Sequence, residues 1–513
     1  MKKIGTAVAL LSLSLPVMVQ AMEFQPIGTL GMGGAGVARN NGALTAYWNP
    51  AGGAFNTSPF AMNVGLGIGA RGSDGLAENI DKFKDVDFKK LKDFSSTSDA
   101  KTVGDLVKAI TILEDIERRK GNIALSGNVP IGFSIKRFSF GLYANGEGNI
   151  LPKTDTMNLL PNNVSNSSSV VPITMTDLAT AVGTQTPSSG YFTPTQQTDI
   201  IGQLQAGTGL SATQAQNIAY AIENQLINSG ISADTAFASV TNTVIPTVKN
   251  SGSNANTFDK NTSSVMTKAM YYIEAPLSYG YPFDFGSKGQ LGIGATAKIM
   301  RGEVFQNQIL LVNRPNDENI SSSNLLKELI KNSETSVNFG LDLGALYKYE
   351  KLTAGLVLKN LNSPKFNAPK YNVAEYNPVT KKVETTKMVD GEDVTIKPQA
   401  RLGLAYDPFN WLSIASDIDL TENETVAPGT VVGSSTKSRN FGGGIELHPY
   451  SWLRLRGGAY KNLAASDIGL VLTGGFTVFM LDVDGAFATD TFKIGSTNLP
   501  QEVKVQVAMS FAF

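Results

Sequence analysis

The sequence predicts an all-β fold: a closed barrel of fourteen antiparallel strands that crosses a membrane, with partly helical extracellular loops. Three observations carry that prediction. Strand-length segments alternate apolar with polar residues, their connections alternate long with short, and aromatic residues gather beside the short ones. After the N-terminus no segment offers the roughly 18 consecutive apolar residues of a membrane helix.

Strand candidates lie near 60–71, 122–136, 138–147, 265–282, 289–304, 335–349, 351–362, 398–406, 410–420, 438–447, 451–460, 467–478, 480–489 and 501–513. Their number is even. Within "SVNFGLDLGALYKY", Val337, Phe339, Leu341 and Leu343 point one way, and Asn338, Gly340, Asp342 and Gly344 the other. Leu412, Ile414 and Ile418 oppose Ser413, Asp417 and Asp419 in the same manner. Leu453 and Leu455 alternate with Arg454 and Arg456, while Leu481, Val483 and Phe487 oppose Asp482 and Asp484. A soluble sandwich also alternates, but it has no reason to keep strict parity between long and short connections. Here a bare Arg137 is followed by more than a hundred residues, then by a few around Gly286-Ser287-Lys288, and so on to the end. Tyr347, Tyr349, Tyr406, Phe409, Trp411, Tyr450 and Trp452 sit beside the short turns, where rings would mark one membrane interface. The alternative is that they fill pockets at the turns.

Composition removes several function classes. Lysine plus arginine (43) nearly balance aspartate plus glutamate (44), so no charged field argues for nucleic acid. Cysteine is absent and His448 is the only histidine, read as a turn residue. That combination points away from enzyme, metal and cofactor chemistry. Lys2 and Lys3, the apolar run Ile4 to Val19 and the small residues around Ala21 read as a signal peptide over 1–21, with a retained anchor as the alternative.

The segment "FQPIGTLGMGGAGVARNNGALTAYWNPAGGAF", with its glycines at 31, 33, 34 and 36 and with Asn49-Pro50-Ala51, resembles the hatch of FadL-type outer-membrane transporters of fatty acids and other hydrophobic compounds. "LVLKNLNSPKF" and "GGAYKNLA" are similar to the TraF-like conjugal transfer branch of that superfamily. The resemblance implies a luminal hatch over 22–58 and a barrel over 59–513 in the bacterial outer membrane. It also implies that Phe513, ending an alternating last strand, is the assembly signal read by the barrel-assembly machinery. A large extracellular insert, 148–264, exceeds the family pattern.

A plug inside a barrel must bring its backbone close to the wall, and lumen side chains must satisfy its free amides and carbonyls. Gly33, Gly34, Asn49, Pro50 and Ala51 are the hatch or gating candidates. Pro50 restricts Asn49 to an extended backbone, which leaves the Asn49 amide free to bond neighbouring groups; a plain turn is the alternative. Lys298, Asp342, Lys359, Arg401, Asp417, Asp419, Glu446, Arg454, Arg456, Asp482 and Asp484 are expected to line the lumen, either toward cargo or only balancing one another. Outer helices are expected over "TVGDLVKAITILEDIERR", from Ser211 to Leu226 behind a Ser-x-x-Gln capping box, and over "SSSNLLKELIKN" with Leu325, Leu326, Leu329 and Ile330. Their apolar stripes either pack on each other or form a first groove for ligand. Two roles stand open: passage of a hydrophobic, fatty-acid-like small molecule through a hatch-gated lumen, or a scaffold among envelope conjugation proteins. Outer-membrane lipid is a partner in both.

Overall fold

The computed structural model describes residues 22–39, 42–72, 75–83, 86–94, 98–160, 162–163, 171–187, 190–249, 257–314, 331–428, 437–465, 468–494 and 497–513. The signal segment 1–21 and the expected helix at Leu325–Ile330 lie outside them.

Fourteen strands form one closed barrel: β1 (Ala61–Gly72), β2 (Ile123–Ile135), β3 (Phe138–Lys153), β4 (Ser264–Asp284), β5 (Gln290–Leu310), β6 (Ser333–Tyr349), β7 (Leu352–Lys359), β8 (Gln399–Phe409), β9 (Leu412–Asp419), β10 (Asn440–Tyr450), β11 (Leu453–Asn462), β12 (Val471–Val478), β13 (Leu481–Ala488) and β14 (Glu502–Ala512). Each pairs antiparallel with its neighbours in chain order, and β14 closes against β1 with Ala61 opposite Ala512 and Arg71 opposite Glu502. Closure leaves no free edge, the condition a sheet must meet in hydrocarbon.

The register sorts side chains as the alternation predicts. Ile68, Ile299, Val337 and Phe339 are each more than 60% exposed on the outside, whereas Asp342, Asp417 and Arg401 are buried inside. So large an apolar exterior suits lipid, not water. At the short-turn end Phe409 stacks on Trp411, Tyr450 on Trp452, and Trp452 on Phe479. Phe513 stacks on Phe60 beside the seam, and its backbone N–H donates to the Phe60 carbonyl at 3.0 Å.

Several strands outrun their sequence-based ends. Residues 148–153 continue β3 instead of opening the insert, because 148–152 are covered on both sides and so lose the alternation that marks a half-buried strand. The insert proper is therefore 154–263. Together with 73–122 it builds a cap over the long-loop end, from α1 (Leu76–Phe83), α2 (Ala100–Arg119), α3 (Met175–Val182), α4 (Pro194–Gln205), α5 (Ala212–Leu226) and α6 (Ala233–Ser239). Leu106, Ile110 and Leu113 of α2 are fully buried in its core, against Ala215, Ile218 and Ile222 of α5. The apolar stripes thus pack on each other. Ser211 caps α5 and Gln214 answers it, and the same device starts α3 (Thr174 with Asp177) and α4 (Thr193 with Gln196). No helix among the described residues is long and apolar enough to cross a membrane.

Candidate functional site: the hatch and the lumen wall

Residues 22–58 cross the lumen with little regular structure, so most of their backbone groups need partners from elsewhere. The wall supplies many of them. Asp417 accepts from the Gly36 and Val37 amides at 2.8 and 3.0 Å, and Arg401 donates to the Gly34 carbonyl at 3.0 Å. Thr473 accepts from the Gly33 amide and donates to the Gly31 carbonyl, while Gln506 accepts from the Gly28 amide. Hatch residue Arg39 pairs with Glu446 at 2.7 Å.

Asn49 is the pivot. It is fully buried and extended at φ −155°, as the following Pro50 requires. Its amide nitrogen points at three carbonyls, Val37 in the hatch at 3.2 Å, Ala345 on β6 at 3.2 Å and Leu356 on β7 at 3.4 Å. Its side-chain oxygen accepts from the Ala51 amide at 3.1 Å, starting the short helical turn Pro50–Phe55. This turn lies directly on the wall. A Cβ at Gly294 would overlap the Pro50 carbonyl carbon and the Ala51 amide, and one at Gly344 would overlap the Asn49 side-chain oxygen. Backbone contact this close explains why small residues face each other across the hatch and β4 to β6.

A second anchor is aromatic. Phe24, Tyr47 and Trp48 pack with ring centroids 5.1 to 5.7 Å apart and meet Tyr143 of β3. Tyr47 and Trp48 donate to the Gln25 and Ile27 carbonyls, which folds the hatch on itself. The Lys359 ammonium sits 3.9 Å from the Tyr47 ring centroid and 4.5 Å from that of Phe24, and the Arg401 guanidinium lies 4.9 Å from Phe24. Such cation–π contacts contribute about 0.5–2 kcal/mol each.

The expected lumen charges assemble into groups. Lys298 joins Asp342 and Glu274; Arg401 joins Asp417 and Asp419; Arg456 joins Asp482 and Asp484. Lys504, which the sequence reading did not single out, holds Glu502 and the hatch residue Glu23. Arg454 stands apart, exposed at the short-turn mouth. The His448 ring contacts Glu446 at 2.5 Å, on the same carboxylate that grips Arg39. Thr473 and Gln506 also escaped notice, since a lone polar residue on an inward face carries no mark of its distant partner.

Beside the aromatic group lies an apolar one, Met22, Met270, Met300, Val304, Phe366, Val394, Ile396 and Val426, toward the long-loop end. Met22 and Phe24, two residues apart, belong one to each group. Among the described residues no cluster of His, Cys, Asp and Glu is arranged to hold a metal ion.

A closed fourteen-stranded barrel with an apolar exterior and a hatch seated in its lumen defines a plugged membrane barrel. Within that class the chain belongs to the family described as "F plasmid transfer operon, TraF, protein", which matches residues 46–419. No curated protein matches its sequence. It is similar to the crystal structure of the Ralstonia pickettii toluene transporter TbuX, at a TM-score of 0.43 and 12% identity over 96% of this chain and 99% of that one. The P. putida toluene transporter TodX follows at 0.42 and 11%, over 94% and 97%. A Pseudomonas aeruginosa FadL homologue gives 0.37 and 11%, over 97% and 98%. The closed barrel itself rests on the strand pairing.

Proposed function

We propose that this chain is a bacterial outer-membrane channel that passes small hydrophobic, fatty-acid-like molecules, with the hatch as its gate and no covalent chemistry. The observation that carries this reading is the presence of two buried apolar groups inside an otherwise polar barrel. The Met-rich group around Met22, Met270 and Met300 and the aromatic group around Phe24 and Trp48 are separate clusters, joined along the chain at Met22 and Phe24. Methionine side chains reshape easily around unlike apolar guests. Cationic Lys359 and Arg401 lie beside the aromatic group and suit an acidic head. The hatch is held by separate hydrogen bonds and not by a strand ladder, so it is displaceable in parts. The short turns and both chain termini face the periplasm, the cap faces outward, and Phe513 at the seam marks the chain for insertion.

The family match and the extent of paired charge around Arg401 and Arg456 favour a second reading, a scaffold in conjugal transfer. Uptake of radiolabelled long-chain fatty acid or hydrocarbon by cells with and without the chain separates the two. Faster uptake with the chain is the expected result. Equal uptake, with plasmid transfer lost on deletion, would leave the scaffold standing.

A further inference from the structure

At the short-turn end, under the hatch, the barrel encloses a half-open vestibule of about 580 Å³. Its charges are mostly matched. Arg39 holds Glu446 at 2.7 Å, Arg456 holds Asp482 at 2.9 Å, and Ser510 links Asp482 to the Asn63 amide. Arg454 is the exception, lining the cavity with no carboxylate partner among the described residues. Two further lining groups are unsatisfied. Thr29 Oγ1 from the hatch and Asn63 Oδ1 from β1 have no hydrogen-bond partner, although each residue is only 5% exposed.

We infer that this vestibule is a binding site for a small organic carboxylate, with the Arg454 guanidinium as its receptor. A guanidinium fork matches a carboxylate with two parallel N–H donors, and a single cation without a carboxylate partner suits a monoanion. Glu446 and Asp482 on the same wall repel a more highly charged guest such as phosphate. A cavity of this size has room for an organic body, beneath a ceiling made by Ala43 and Leu44 of the hatch. The site stands whether the lumen passes cargo or not, because it opens on the periplasmic side of the hatch.

Calorimetric titration of the purified full-length barrel in detergent with hexanoate tests it, with hexan-1-ol and inorganic phosphate as comparison probes. Saturable hexanoate binding is expected, weakened about tenfold or more in Arg454→Gln and less in Arg454→Lys. Heat-modifiability checks that both variants are folded. In the unmodified protein, hexanoate should also protect Arg454 from phenylglyoxal, read by mass spectrometry, a result that needs no variant. Absence of hexanoate binding, equal binding of hexan-1-ol or phosphate, or unchanged affinity in folded Arg454→Gln would overturn the assignment. A barrel that binds hexanoate this way yet speeds no hydrocarbon uptake would instead count against the transport reading alone.

Discussion

The hatch and the helical cap rest on the same barrel but are held by different forces. In the cap, α2 buries Leu106, Ile110 and Leu113 completely in a core built almost wholly from aliphatic side chains. In the lumen the hatch has one aromatic anchor on Tyr143 and otherwise touches the wall through ion pairs, backbone groups bonded to Asp417, Arg401, Thr473 and Gln506, and glycine on glycine. Apolar burial is non-directional and tolerates small shifts. Hydrogen bonds are lost one at a time, each contributing about 0.5–1.5 kcal/mol. The contrast predicts that damage to each should leave the other intact.

The largest effect is expected from Arg401→Met. It leaves the buried carboxylates of Asp417 and Asp419 without their cation and frees the Gly34 carbonyl, a loss of about 3–5 kcal/mol. Small-dye leakage into cells should rise sharply while protease resistance of the cap is unchanged; a tight barrel would mean the hatch is held elsewhere. Leu106→Ala should cost about 2–5 kcal/mol in the cap, seen as faster proteolysis of 154–263, without added leakage. Ala51→Leu forces a larger side chain into a fully buried position whose backbone lies on Gly292 and Gly294, at about 1–3 kcal/mol, and Asn49→Ala strips the hatch of its shared bonds at a similar or smaller cost. Both should insert normally and alter dye leakage or uptake, and wild-type behaviour in both would reduce Asn49-Pro50 to a turn.

The smallest effect belongs to pH. Burial pushes the Asp115 carboxyl of α2 up, but hydrogen bonds and charge from Asn79, Arg119 and Arg118 bring it below its ordinary value of 3.8. A carboxyl depressed in the folded state stabilises fully above its unfolded pKa, near 4, and loses that contribution as pH falls through the folded value. Urea unfolding of Asp115→Asn against the parent should therefore differ at pH 7 and converge toward pH 3. A gap that stays constant over that range would assign the loss to packing.

All fourteen strands were legible in the sequence because a half-buried strand writes a period of two. The signal failed where the environment ceased to be two-sided: residues 148–152, buried on both faces, read as loop. Asn49 was legible through its local constraint, since Pro50 limits its backbone whatever surrounds it. Gly294 and Gly344 were not, because what requires a glycine there is a turn more than 200 residues away in the chain. The partner that satisfies His448 was not legible for the same reason, its tie to the hatch running through Glu446 to Arg39. Thr174 and Thr193 carried the same capping pattern that identified Ser211 and were readable from it.

The pairing of β1 with β14 has a consequence for how the molecule is made. Ala61 must wait for Ala512, so the first strand synthesised stays unpaired on one side until nearly the whole polypeptide has been delivered. Contacts this distant in sequence are costly to close and slow to form. The hatch precedes β1 and bonds Gln506 on the last strand, so its seating cannot be completed earlier. The barrel therefore closes on the strand it began with, and the segment ahead of that strand reaches its full set of bonds only as the last strand arrives.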